Sequence, residues 1–173
     1  MGLFNFKGLF GKNNKSEEKE TIDLNKPVDN PTLKKAFAEF SLNKTEETLQ
    51  LVISGLIKAN FIVLFFADQL KTTKDAKGNL FIDKGNVIEF INCIDKDRVL
   101  LPVFTDWQEV DLWIKQRDNN TQSFIMPTFE VFDWVSNNDS YNGIVINPGS
   151  TGWTMNKEQV KNFLIENNQK TSH

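Results

Sequence analysis

From Leu33 onward, apolar residues recur at helical spacing: Leu33, Ala36, Phe37 and Phe40 fall on one face. Asn30-Pro31 stands just ahead, a capping residue followed by the residue best suited to a first helical turn. The folded part is therefore expected to begin at residue 30. A second helix opens at Thr45-Glu46-Glu47, where acids meet the positive end of the helix dipole. Its buried stripe is Leu49, Val52, Ile53, Leu56 and Ile57. The period then changes. Phe61 to Ala67 is a continuous apolar run, rich in β-branched and aromatic residues, and predicts a strand buried on both faces. Joined to the preceding helix it would imitate a membrane span. Gln50, Ser54, Lys58 and Asn60 interrupt it, however, and a lysine at mid-bilayer costs about 2.5–3.5 kcal/mol.

Residues 72–84 read as a polar hairpin region with turn residues between Asp75 and Asn79. Asn86 to Ile94 and Arg98 to Phe104 are strands joined by Asp95-Lys96-Asp97, an antiparallel hairpin. Asp106 caps a helix, with Glu109 in the capping-box position and Trp107, Val110, Trp113 and Ile114 on its inner face. Ser123 to Met126 predicts a short strand. Pro127-Thr128 opens a helix that buries Phe129, Phe132 and Val135 and leaves Trp134 off that face, at the surface. Gly143 to Ile146 is a buried strand, followed by a loop from Asn147 to Gly152. Asn156 caps the last helix, with Gln159 as box partner and a Met155–Val160 staple, and the chain frays from Asn167. The expected fold class is α/β (α+β). A single mixed sheet of about five to six strands, one antiparallel hairpin included, is covered by about five helices. Residues 30–168 form the domain, 1–29 a flexible tail and linker, and 169–173 a frayed end.

Composition narrows the chemistry. The formal charge of -3 argues against nucleic-acid binding, which needs clustered basic residues. There is one cysteine, Cys93, and one histidine, His173, the last residue. Without a positioned imidazole, a Ser-His-Asp triad, a Cys-His pair and a His-ligated metal are not expected. No catalytic residue, metal site or cofactor is predicted. Cys93 reads as a buried structural thiol. A Glu89–Asp95 acid–base pair is a minor alternative that no spacing singles out.

Residues 1–16 carry Lys7, Lys12 and Lys15 without an acid, together with Leu3, Phe4, Phe6, Leu9 and Phe10. Phe4, Phe6, Lys7 and Phe10 are candidates for weak contact with a membrane surface or a partner. Gly2, Gly8 and Gly11 weaken any helix there. Residues 16–30 alternate in charge and read as a linker.

Two places could hold a ligand. Thr105 and Asp106 end one strand, and Asn147 to Gly152 leave another, with Gly149 and Gly152 free to present backbone amides to an anion. Ligands of open α/β sheets gather beyond such carboxyl ends. The loop lacks the lysine of a phosphate-binding loop and the dinucleotide glycine spacing. Thr105, Asp106, Asn147 and Gly149 are the candidate ligand site, and Trp134 the candidate partner contact.

Three stretches together resemble the SseB family, the bacterial "enhanced serine sensitivity" type, in its N-terminal domain. They are Asn30-Pro31-x-Leu33, then Leu101-Pro102-Val103-Phe104-Thr105-Asp106-Trp107, then Gly143-Ile144-Val145-Ile146-Asn147-Pro148-Gly149. They stand in the family's order and span about residues 30–168. The resemblance implies a compact α/β domain in a bacterial cytoplasm, and it brings no catalytic residues or cofactor. The expected role is a non-catalytic protein-interaction or regulatory module with another protein as partner, peripheral to the membrane if the tail reaches it. The alternative is a small-metabolite site, or a minor enzyme, at Thr105, Asp106, Asn147 and Gly149.

Overall fold

The computed structural model describes residues 28–66, 72–74, 80–82, 88–115 and 121–168. Phe4, Phe6, Lys7, Phe10 and the turn around Asp75 lie outside them. The chain opens with two helices, α1 (Pro31–Leu42) and α2 (Glu46–Lys58), and enters strand β1 (Asn60–Phe66). A short hairpin follows, β2 (Thr72–Lys74) with β3 (Leu80–Ile82), then β4 (Glu89–Phe90), β5 (Cys93–Asp95) and β6 (Arg98–Val103). The remainder alternates: α3 (Trp107–Trp113), β7 (Thr121–Pro127), α4 (Thr128–Asn137), β8 (Gly143–Ile146), β9 (Trp153–Asn156) and α5 (Lys157–Asn168).

The mixed α and β class holds, but the expected single sheet does not. Two larger sheets form, one ordered β4-β1-β7 and the other β5-β6-β8-β9. They touch through one isolated bridge, Ile62 to Phe104, closed by amide–carbonyl bonds of 2.9 and 3.0 Å. The stretch predicted as one strand from Asn86 to Ile94 explains the division. It breaks at Ile91-Asn92, so that β4 pairs with β1 while β5 pairs with β6. β1 and β6 therefore meet at one point instead of running side by side. The Asp95–Asp97 hairpin forms as expected, with Lys96 left-handed at φ 56°. β6 and β8 run parallel, Leu100 opposite Gly143 and Val103 opposite Ile146.

Burial follows the apolar pattern. Phe61, Ile62, Val63 and Phe65 of β1 are fully enclosed, because both faces of that strand are covered. The larger core gathers Leu33 and Phe37 of α1, Val52 and Leu56 of α2, Phe132 and Val135 of α4, and Val160 and Phe163 of α5 against the sheets. A smaller cluster on the other face joins Ile62, Leu64, Phe104 and Val110.

Several local expectations change once tertiary partners are present. α2 opens at Thr45 with Glu46 and Glu47 in its first turn, and Thr45 also closes a capping box with the hydroxyl of Thr48. The Asn156–Gln159 box forms, with bonds of 2.8 and 2.9 Å. Asn30 precedes α1 without capping it through its side chain. β9 was not expected. Its Trp153 ring packs 5.2 Å from Phe37 and 5.1 Å from Phe40, which ties the edge strand to α1. Asn167 does not fray: it is 2% exposed and donates to the Phe163 carbonyl.

The pairing of β8 with β9 requires a glycine. A Cβ placed on Gly143 would stand 2.1 Å from the Met155 carbonyl oxygen, inside van der Waals contact. Backbone would have to move to admit it. Gly143→Ala should lower stability by about 3 kcal/mol, read as a lower urea midpoint at unchanged slope. A loss below about 0.5 kcal/mol, the range of neutral surface changes, would show that the two strands separate without cost.

Candidate functional site

Three of the four candidate ligand residues converge. β6 and β8 are parallel neighbours, so their carboxyl ends lie side by side, with Thr105 just beyond one and Asn147 just beyond the other. The Asn147 amide nitrogen donates to the Val103 carbonyl, 2.9 Å, which places its side chain beneath Thr105. There it works both ways. Its Oδ1 accepts from the Thr105 backbone N–H at 3.0 Å, and its Nδ2 donates to Thr105 Oγ1 at 2.9 Å. Thr105 is fully buried and Asn147 is 1% exposed. Asn147 holds φ 52°, a left-handed conformation that asparagine tolerates better than most residues. That twist reverses the chain, and its carbonyl accepts from Ser150 and Gly152 N–H at 3.1 and 2.9 Å.

Asp106 continues the network. Its Oδ1 accepts from the Glu109 N–H at 3.0 Å, the expected helix cap. Its Oδ2 accepts from Lys34 Nζ at 2.7 Å and from the Thr105 hydroxyl at 3.2 Å. Burial alone would raise this carboxyl. The Lys34 hydrogen bond, the Glu109 amide, the Lys34 charge and the Thr105 hydroxyl outweigh it, and the pKa lies below its ordinary 3.8. Lys34 is raised from 10.5, chiefly by its hydrogen bond to Asp106.

Sequence reading missed two members. Asn30 reaches across from the start of α1. Its Nδ2 donates to the Thr105 and Asn60 carbonyls at 2.7 and 2.8 Å, and its Oδ1 accepts from the Asn60 N–H at 3.1 Å. Lys34 sits one turn later in α1 and meets Asp106 across 72 positions of sequence. The only signal for either was a polar residue at a helix start; Asn30 is then buried, and Lys34 only half-buried. Glu109 does not complete the predicted capping box. Its carboxylate instead accepts from the Ser150 hydroxyl and pins the 147–152 loop to α3.

Gly149 takes part through shape. A Cβ there would lie 3.0 Å from the Leu112 carbonyl carbon and the Trp113 nitrogen. The glycine lets the loop lie on the last turn of α3. Among the described residues, no buried side-chain nitrogen or oxygen lacks a hydrogen-bond partner. The cluster is a saturated joint between α1, β1, β6, α3 and the loop after β8.

Trp134 stands elsewhere, at the C-terminal end of α4. Expected at the surface, it is half-buried, because its ring packs 4.7 Å from Phe90 and 5.1 Å from Tyr141. Tyr141 donates to Asn92 Oδ1 at 2.8 Å, and burial pushes its hydroxyl up to about 12. The remaining Trp134 surface borders an open hollow with Asp133, Asn137, Asn138 and Asp139. Lys157 holds two of these residues, donating to the Asn138 carbonyl at 3.0 Å and Asp139 Oδ1 at 2.9 Å. Cys93 is half-buried in β5, and burial, then Asp95, raises its thiol. Asp95 pairs with Arg98 across the hairpin. Among the described residues, no group of three or more His, Cys, Asp or Glu side chains converges as a metal site needs. Nor is any helix among them long and apolar enough to cross a membrane.

The model of one protein family, the SseB protein N-terminal domain, matches residues 33–162. No curated protein and no solved structure matches the chain.

The joint carries a pH signature. A carboxyl with a lowered folded pKa adds stability that is complete above its unfolded value, near 3.8, and lost as pH falls through the folded value. The raised Lys34 adds stability that is complete below 10.5 and lost as pH rises through its folded value. Asp106→Asn keeps the cap acceptor and removes the charge. It should cost about 1–2 kcal/mol at pH 7 and flatten both the acid and alkaline limbs in urea titrations. Limbs parallel to wild type would show that the pair adds nothing. Asn147→Ala strands the buried Thr105 amide and puts alanine in a left-handed turn. A loss of about 3 kcal/mol is expected, and Asn147→Gly should recover part of it.

Proposed function

The chain belongs to the SseB family, and from that premise we propose that its domain is a protein-interaction or regulatory module, not an enzyme. The observation that carries this reading is the saturation of the strand-end cluster. Thr105, Asp106 and Asn147 stand where an α/β sheet usually receives a ligand, yet their polar atoms are engaged with one another and with Asn30 and Lys34. A ligand binding there would first have to break bonds that hold five elements together. Trp134 is differently placed. Part of its ring stays accessible, its position is held by Phe90 and Tyr141, and polar groups surround it. An aromatic anchor held rigid inside a polar rim is the usual make-up of a binding hot spot. The partner is another protein, met in a bacterial cytoplasm. Phe4, Phe6, Lys7 and Phe10 add a second, weaker contact to that partner or to a membrane surface.

Copurification from native lysate tests the reading. The full-length chain should retain a near-stoichiometric partner, and Trp134→Ala should weaken that complex by about thirtyfold, a loss of about 2 kcal/mol. Loss on shortening to residues 22–173 would place the contact in the tail instead. If no partner is retained and a metabolite raises the melting temperature of wild type but not of Asn147→Ala, the domain is a small-ligand receptor and the present reading is wrong.

A further inference from the structure

Helix α4 is acidic, and its negative end lies at the hollow beside Trp134. Its ionisable side chains are Glu130 and Asp133, both exposed, and it holds no base. They stand three positions apart and so share a face, which Asn137 continues one turn on. The carboxyl end of a helix adds partial negative charge of its own. At that end Asp133, Asn137, Asn138 and Asp139 surround the hollow together with Trp134.

One cation of the protein is already seated on this rim. Lys157 Nζ bonds the Asn138 carbonyl and Asp139 Oδ1. That hydrogen bond, with the charges of Lys157 and Lys161, holds the Asp139 carboxyl below its ordinary 3.8. Asp139 is therefore matched. Asp133 is not. Its Oδ1 accepts from the Asn137 amide at 3.1 Å, and it joins no ion pair among the described residues. Asn137 Nδ2 also donates to the Asp133 carbonyl at 2.9 Å, so the amide oxygen is the group that Asn137 has left to offer. An unmatched carboxylate and an amide oxygen thus border the same hollow as a half-buried indole.

Such a site suits a group that is cationic at its tip and apolar along its stem. Arginine fits better than lysine. Its planar guanidinium presents several donors in a fixed fork, enough to meet two acceptors at once, and it lies well against aromatic rings. Arginine and tryptophan are also among the residues most enriched in binding hot spots. We propose that the hollow receives an arginine side chain presented by a protein, with the guanidinium on Asp133 and Asn137 and the stem against Trp134. The inference rests on the reading of Trp134 as the partner contact, and it adds the chemistry that the partner must bring there.

A chemical-shift titration of the full-length, isotope-labelled protein tests it. The probe is a blocked glycine pentapeptide with a central arginine. The Trp134 indole signal and the amides of residues 133–139 should move along a saturating curve, while those of Thr105 and Asn147 stay in place. The citrulline counterpart, which keeps the shape and loses the charge, should leave all of them in place. Asp133 is exposed, so Asp133→Asn spares the core; it should weaken the arginine peptide by about threefold, the worth of one exposed ion pair. Equal shifts with citrulline would make the hollow an apolar contact and overturn the proposal. Shifts with free arginine but none with the peptide would make the occupant an amino acid and overturn it too. The partner reading is judged separately. If Trp134→Ala loses the copurified partner while the peptide moves no signal, Trp134 is the contact and arginine is not what it holds. If the peptide saturates the site while Trp134→Ala keeps the partner, the arginine site stands and that partner binds elsewhere.

Discussion

Every polar atom of Thr105 is spoken for. Its N–H goes to Asn147, its carbonyl accepts from Asn30, and its hydroxyl accepts from Asn147 and donates to Asp106. The residue is fully buried, so any of these groups left unpaired would cost about 1–3 kcal/mol. The constraint fixes the rest of the architecture. Asn30 holds the start of α1 against the start of β1, and Lys34 holds α1 against the cap of α3. Asn147 locks the end of β8 to the end of β6. Among the described residues, the backbones of the two sheets otherwise pair at a single bridge, Ile62 to Phe104, one residue before Thr105. The hydrogen-bonded cluster supplies the connection that a continuous ladder would have given.

That arrangement also bears on function. Parallel strands open a crevice at their carboxyl ends, and many α/β proteins leave polar groups there for a ligand. Here the crevice is closed by the protein's own side chains, and Gly149 lets the following loop lie flat on α3. The partly accessible Trp134 lies away from this joint, in the last turn of α4.

Much of the fold was legible because its signals are local. The helical periodicity of Leu33, Ala36 and Phe37, the unbroken run through β1, the Asp95–Asp97 turn and the Asp106 cap all depend on neighbours within a few residues. The SseB motifs were legible for the same reason, being short contiguous stretches. Thr105, Asp106 and Asn147 could be named as neighbours from two strand ends alone, since parallel strands in one sheet bring those ends together. Their purpose could not be read, because Asn30 and Lys34 come to them across more than seventy positions.

The sequence by itself determined most of the helices and strands and that the chain is of the SseB type. Apolar spacing, caps and turn residues act over one or two turns of chain, so they carry those decisions without help. Tertiary structure alone decided that the predicted strand from Asn86 breaks in two, that β9 forms at an edge, that Glu109 turns from its cap to Ser150, and that Trp134 is half-buried. Each of these depends on which distant group offers a hydrogen bond or an apolar surface, and that is settled only when the elements pack.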